Sequence, residues 1–178
     1  IKSGEGYYIP CEHPNINTDY DKEYFFKKLT EIAEDKNVKI IGQNLKYEYV
    51  VLKNAGINLT NIYFDTMIAS YVLNAVRTRH NLDYLANEFL NYQTVKYTDL
   101  VNVKKGETLL DVDFSLVINY ASEDADIAFR LYEKFAPSLK KKQLENVFFN
   151  IDMPLVKILG DIEYNGVSID ENYLTNMS

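Results

Sequence analysis

A single cysteine, Cys11, stands in a chain of 178 residues, which excludes an internal disulfide and a cysteine-based metal cluster. No apolar run reaches the roughly 18–20 residues that cross a bilayer, and no secretory leader opens the sequence. No membrane partner is therefore expected, and a cytoplasmic protein is. Positive charge is scarce too: 19 Lys and Arg against 26 Asp and Glu leave a net charge of −7. Holding DNA by bulk electrostatics recruits Lys and Arg to phosphate, and this balance argues against that mode. It leaves room for a nuclease, because a metal-dependent site needs clustered carboxylates. Internal repeats and low-complexity stretches are also missing. The short basic runs at Lys27-Lys28, Lys104-Lys105 and Lys140-Lys141-Lys142 read as solvated surface. What is plentiful is core-forming material, with 47% hydrophobic residues, 15 Tyr and 9 Phe. That is enough for one ordered domain with a real core.

Strands alternate with helices along the chain. Tyr7–Cys11 reads as a short strand that Pro10 pushes toward a sheet edge. Thr18 or Asp19 can cap a helix over about 21–35, whose stripe is Phe25, Leu29, Ile32 and Ala33. The β-branched run Val38–Ile41 predicts a buried strand, followed by a helix over Leu45–Asn54 that Gly56 stops. A strand at Asn61–Phe64 and a helix over Thr66–Leu73 come next, and Asn81 opens a helix carrying Leu82, Leu85, Ala86 and Phe89. Residues 91–112 read as a long functional loop. Asp113 then caps a long helix bearing Tyr120, Asp124, Ile127 and Leu131, with Pro137 near its end. A last helix from about Lys142 ends at Asn165-Gly166, with Pro154 kinking it or marking its true start. The alternation predicts an α/β domain.

Three junctions can carry chemistry. Tyr120 and Asp124 are four apart and share a helix face, where a phenol and a carboxylate can bind one water between them. The blander reading of that pair is a surface contact; Glu123 and Asp126 point elsewhere and are expected to be solvated. Gly42–Glu48 lies at the carboxyl end of a strand, where α/β sheets bind ligands. There the amides of Gln43 and Asn44 can contact a nucleotide and Glu48 can offer a carboxylate to a metal; equally, Asn44 can be an ordinary helix cap. Asp65 reads as a structural cap. Arg79-His80 precedes a helix N-terminus and can touch phosphate, although a lone histidine is more often structural.

The segments Gln43–Tyr47, Phe64–Met67, Arg79-His80, Tyr120–Asp126 and Asn150–Leu155 occur in this order in one known family. The chain resembles the proofreading 3′–5′ exonuclease domain of bacterial family A DNA polymerases, a domain of the DEDDy type with a ribonuclease-H-like fold. The ending Ile162–Val167 is similar to that family's passage into the polymerase domain. The resemblance implies an α/β fold with a mixed sheet flanked by helices, residues 1–160 as exonuclease domain and 161–178 as the start of the polymerase linker. It implies two divalent cations (Mg, Mn or Zn) held by four carboxylates, with a tyrosine orienting the attacking water. Asp124 then corresponds to the last metal-ligating aspartate and Tyr120 to the water-positioning tyrosine. Gln43, Asn44 and Tyr97 would hold a frayed single-stranded DNA 3′ end, Tyr97 by stacking, and Arg79 would meet a phosphate.

Two departures bear on these expectations. The family's first motif, Asp-x-Glu on the first strand, is expected upstream of Ile1, so two of four carboxylates and the first strand or strands are missing from this stretch. Glu48 stands where the family has aspartate, one methylene longer than octahedral Mg²⁺ coordination favours. The expected function is 3′–5′ exonuclease in an intact DNA polymerase, with this fragment inactive and binding no metal. The alternative is a vestigial exonuclease-like scaffold beside the polymerase domain in cis. A free-standing ribonuclease-D-like enzyme fits the ending at Ile162–Val167 poorly. With its central neighbour gone, the Val38–Ile41 strand is expected to be covered by Tyr7–Cys11 or by a second copy, giving a homo-oligomer.

Overall fold

The computed structural model describes residues 2–11, 13–14 and 21–177. Among these residues the only sheet has two parallel strands, β1 (Ile40–Gly42) and β2 (Ile62–Asp65), in the register Ile40↔Ile62, Ile41↔Phe64 and Gly42↔Asp65. The order is α1 (Lys22–Glu34), β1, α2 (Leu45–Asn54), β2, α3 (Thr66–Leu73), α4 (Leu82–Leu90), α5 (Tyr97–Leu100), α6 (Phe114–Lys141), α7 (Glu145–Val147), α8 (Met153–Asn165) and α9 (Glu171–Met177). This is an α/β domain, mostly helical.

Local chemistry accounts for most boundaries. The caps expected at Thr18 or Asp19 lie outside the described residues; α1 is capped by Asp21, whose carboxylate accepts from the N–H groups of Glu23 and Tyr24 at 2.9 and 3.2 Å. Asp113 caps α6 by accepting from Ser115 N at 2.9 Å. Asn81 occupies the N-cap position of α4 without a side-chain bond. Gly56 (φ +77°) follows α2, as its C-terminal role requires. Val38 is not in β1: its N–H closes a turn onto Asp35 O at 3.1 Å, and pairing begins at Ile40. The single helix expected from Lys142 is broken. Gln143 takes a positive φ (57°), and a π-helical turn, Phe148–Asp152, precedes α8. Pro154 sits in the first turn of α8, where its missing N–H costs no hydrogen bond, and so marks that helix's start.

Tyr7–Cys11 does not form a strand, and it does not fill the open side of β1. Instead, the N-terminal segment lies on α6. Gly4 N donates to Asp126 Oδ1 at 2.5 Å, and Gly6 sits so close that an added Cβ would fall 2.5 Å from Ser122 O. Tyr8 faces Phe114 at 5.9 Å and joins a buried cluster of Val101, Val112 and Val117. Tyr8 thus packs its ring against the start of α6 and the 101–112 segment, while Tyr7 and Ile9 stay exposed.

The main core lies between the sheet and α6. Phe64 is fully buried, with Phe148 and Tyr132 at ring separations of 4.6 and 4.9 Å. Along α6 the buried residues Ile127, Leu131, Phe135 and Leu139 form one stripe. Tyr120 and Asp124 continue that stripe at its N-terminal end, so packing of the core aims the site face.

Helices α2 and α8 are clamped together. Asp161 Oδ1 accepts from Tyr49 OH at 2.7 Å and from Lys53 Nζ at 2.5 Å, Lys46 pairs with Glu163, and Gly160 lets the Tyr49 ring approach. A Cβ on Gly160 would lie 2.5 Å from Tyr49 Cδ1, and the tethered ring has little room to swing away. Gly160→Ala should therefore destabilise the fold, because overpacking costs about 1–3 kcal/mol against a helix-propensity gain of about 1. In a Tyr49→Ala background the clash is gone and the same substitution should stabilise. Urea denaturation of the four proteins reads this change of sign; an unchanged sign would show that Tyr49 is not the obstacle.

Candidate nuclease site

The candidate residues lie where β1 and β2 end and α2 and α3 begin, and on the N-terminal half of α6. Asp65, the last residue of β2, is 1% exposed, and its carboxylate accepts four backbone N–H groups. Two belong to the start of α3, Met67 and Ile68 at 2.9 and 3.3 Å; two belong to the start of α2, Asn44 and Leu45 at 3.1 and 2.7 Å. One carboxylate thus caps two helices. Burial pushes its pKa up, opposed by those four donors. Asn44, left-handed at φ 60°, offers no side-chain cap of its own, so the capping expected of it comes from Asp65.

Gln43 is held at both ends of its amide. Nε2 donates to His80 O at 2.8 Å, and Oε1 accepts from Thr66, whose hydroxyl is shared with Gly42 O at 3.1 Å. His80 is buried and structural, with Ser70 Oγ 2.9 Å from Nδ1, Arg77 O 3.0 Å from Nε2 and Tyr71 stacked at 3.5 Å. The strand-to-helix turn and the turn before α4 are therefore one unit. Arg79 is exposed in that second turn. Its neighbour Arg77, overlooked in the sequence, is a packing residue that pairs with Glu88 and lies over Phe89 at 4.8 Å.

Glu48 lies on the first turn of α2. The residue as a whole is exposed, yet its carboxyl is recessed; desolvation, with the Asp65 charge adding, pushes its pKa up to about 7. On α6, Tyr120 and Asp124 stand four residues apart on one face, as the sequence suggested, and the charge of Asp124 bears on Tyr120. Burial, with the Asp124 charge adding, pushes Tyr120 up to about 12; burial, with Asp83 and Glu123 nearby, pushes Asp124 up to about 6. Tyr120 therefore stays protonated at neutral pH. The Tyr97 ring lies 6.5 Å from that of Tyr120, and the residue is 38% exposed.

Glu123 and Asp126 are not solvated as expected. Glu123 accepts from Tyr92 OH at 3.0 Å and from Val95 N at 2.8 Å, and Asp126 accepts from Gly4 N and pairs with Arg130 at 3.5 Å. Glu123 is three residues from Tyr120, a spacing that also brings side chains together and was available in the sequence.

The structure thus brings Tyr97, Tyr120 and Asp124 together, and Glu48, Asn44 and Gln43 together around Asp65. Among the described residues no three His, Cys, Asp or Glu side chains converge as ligands for a metal ion. Glu48 and Asp124 alone do not fit a two-cation centre, which needs several oxygen ligands per ion.

The raised pKa of Glu48 has a stability consequence. A carboxyl favoured in its neutral form stabilises the fold below its unfolded pKa near 4.5, and that contribution is lost as pH rises through about 7. Glu48→Gln, neutral throughout, should raise Tm at pH 8 and leave it unchanged at pH 4. Equal effects at both pH values would show that Glu48 is not desolvated.

The model of the 3′–5′ exonuclease family matches residues 1–140. DNA polymerase I of Borreliella burgdorferi is 39% identical over 98% of this chain and 19% of that protein. DNA polymerase I of Pseudomonas aeruginosa is 35% identical over 98% of this chain and 20% of its own length, and that of Rhizobium leguminosarum is 36% identical over 85% and 15%. The chain spans a fifth or less of these relatives. The solved POL domain of Pol1 from M. smegmatis, in complex with DNA primer-template and dNTP, superposes with a TM-score of 0.72 over 90% of this chain and 25% of that one. At 16% identity that likeness speaks for the fold alone. With a family match over residues 1–140 and relatives that are DNA polymerases I, this chain belongs to the 3′–5′ exonuclease family.

Proposed function

We propose that this chain is the proofreading exonuclease portion of a DNA polymerase and receives the single-stranded 3′ end of DNA at the Tyr97–Tyr120–Asp124 face. The observation that carries this is the exposed Tyr97 ring placed 6.5 Å from the ring of Tyr120, which shares a face of α6 with Asp124. A base stacked on Tyr97 would present its phosphate to the phenol and carboxylate beside it. Base–aromatic stacking tolerates any base, so little sequence preference follows. Arg79 adds a cation for phosphate, and Asn44 a polar contact. The amide of Gln43 is committed to His80 and Thr66, so it acts on the nucleotide chiefly by fixing the turn. In this reading residues 1–160 are the nuclease unit and 161–178 begin the passage to the polymerase domain, although α8 runs unbroken to Asn165. The open side of β1 is the place where a second copy would pair.

In the family's scheme divalent cations generate the nucleophile and neutralise charge on the phosphoryl group. Glu48 and Asp124 are too few donors for that role, so the 178-residue chain by itself is expected to bind DNA but cut it poorly. One feature favours the scaffold alternative: Glu48 stands where the family has aspartate, one methylene longer than octahedral Mg²⁺ coordination favours.

Fluorescence anisotropy with labelled oligothymidylate, followed by incubation with Mg²⁺ or Mn²⁺, tests both parts. Weak binding with a shallow salt dependence is expected, since the acidic surface releases few counterions. Tyr97→Ala should weaken it by about 1–3 kcal/mol. Tight duplex binding with a steep salt slope, or unchanged affinity in Tyr97→Ala, would contradict the binding face. Efficient release of mononucleotides that Asp124→Ala abolishes would contradict the expected inactivity.

A further inference from the structure

Tyr97 stands at the end of an irregular segment, residues 91–96, that has no sheet or helix of its own to hold it. Two carboxylates hold it instead. Glu123 on α6 reaches across and accepts two hydrogen bonds with separate oxygens, Tyr92 OH on Oε2 at 3.0 Å and Val95 N on Oε1 at 2.8 Å. Asp83, in the first turn of α4, accepts from the buried Thr94 hydroxyl at 3.0 Å. The Tyr92 ring is further covered by Arg130, 5.2 Å from its centroid and two turns further along the same face of α6. The segment is thereby fastened at residues 92, 94 and 95, directly before Tyr97.

Glu123 is also the immediate neighbour of Asp124 and lies three residues from Tyr120. A side chain on the helix that carries the tyrosine–aspartate pair is therefore the one that sets where the stacking ring stands relative to that pair. A ring at the end of a loose loop would sample many positions; held at two points by one rigid helix, it has one. Val95 and Lys96 are exposed, so between Tyr92, which packs on the main core, and Leu100 and Val101, which pack beyond Tyr97, these bonds are the chief restraint.

We propose that Glu123 is a positioning residue: its two-point hold on Tyr92 and Val95 fixes the Tyr97 ring beside Tyr120, so that the terminal base of a single strand stacks in one register against the Tyr120–Asp124 pair. The inference rests on the single-strand reading above, and its test separates the two. The probe is a single-stranded oligothymidylate carrying 2-aminopurine as its 3′-terminal base, whose fluorescence is quenched by stacking. Quenching on binding to the wild-type chain, lost in Tyr97→Ala, supports the reading on which the proposal rests. Glu123→Ala should lose most of the quenching while the oligonucleotide still binds with less than about a tenfold loss, since polar contacts remain. Glu123→Gln, which keeps an oxygen to accept from Val95, should restore about half of it, a rescue that a general loss of stability would not produce. Tyr92→Phe, which leaves the Val95 bond intact, should lose only part.

Amide exchange of the DNA-free protein supplies the second readout. In Glu123→Ala the Val95 N–H should exchange at least tenfold faster while the buried stretches of α4 and α6 keep their protection. Full wild-type quenching in Glu123→Ala, or unaltered Val95 exchange, overturns the positioning role. Should the wild-type chain bind without quenching, it is the stacking reading that fails, and the Val95 exchange rate still decides whether Glu123 holds the segment.

Discussion

The Asp65 carboxylate is the tie on which the rest of the arrangement depends. It ends β2, is almost wholly buried, and accepts the N–H groups of Asn44, Leu45, Met67 and Ile68. Helix N-termini carry orphan donors and partial positive charge, so two of them can converge on one place only if an acceptor stands between them. Asp65 is that acceptor, and a two-strand sheet alone would not fix the angle between α2 and α3. Its position sets where α2, which carries Glu48, begins and why Gln43 faces the His80 turn. Its charge also makes itself felt in the raised pKa of Glu48.

From this tie the structure extends outward by packing. Phe64, one residue earlier on β2, is the centre of the aromatic core, and α6 lays its Ile127, Leu131, Phe135 and Leu139 stripe against it. Because Tyr120 and Asp124 continue that stripe, the burial that stabilises α6 also orients the pair. The α2–α8 clamp, built on Asp161 and the bare Gly160, holds α2 from its other side. Charged residues thus act here mainly as acceptors of specific N–H and O–H groups, which suits a chain with 26 acidic residues and a modest count of basic ones.

Much of this was legible in the residues themselves. The helices Leu45–Asn54 and Thr66–Leu73 fall where periodicity, Gly56 and Asp65 placed them, and Asp113 caps α6 as its type suggests. The ordered motifs named the exonuclease family, and the resemblance in turn pointed to Tyr97, which the fold brings to Tyr120 although 23 residues separate them. What escaped was tertiary. Tyr7–Cys11 has the composition of an edge strand, yet α6 and the Val101–Val117 cluster offer its Tyr8 a better burial than a strand partner would. Glu123 and Asp126 look like solvent-facing charges because a helix pattern cannot show which loop N–H groups will arrive from elsewhere. Asn44 has the chemistry of a cap, but its left-handed backbone turns that duty over to a carboxylate 21 residues away.

The most direct measurement is the stability and amide protection of Asp65→Asn. An asparagine keeps one acceptor but removes the charge and points N–H groups at N–H groups. If Asp65 caps both helices, the loss should be about 1–4 kcal/mol in urea denaturation, the sum of two cap contributions. Protection should fall together at Asn44 and Leu45 on one side and at Met67 and Ile68 on the other. Loss of protection confined to Met67 and Ile68, with α2 unaffected, would contradict the account, because Asp65 would then be an ordinary cap of α3 and something else would set α2.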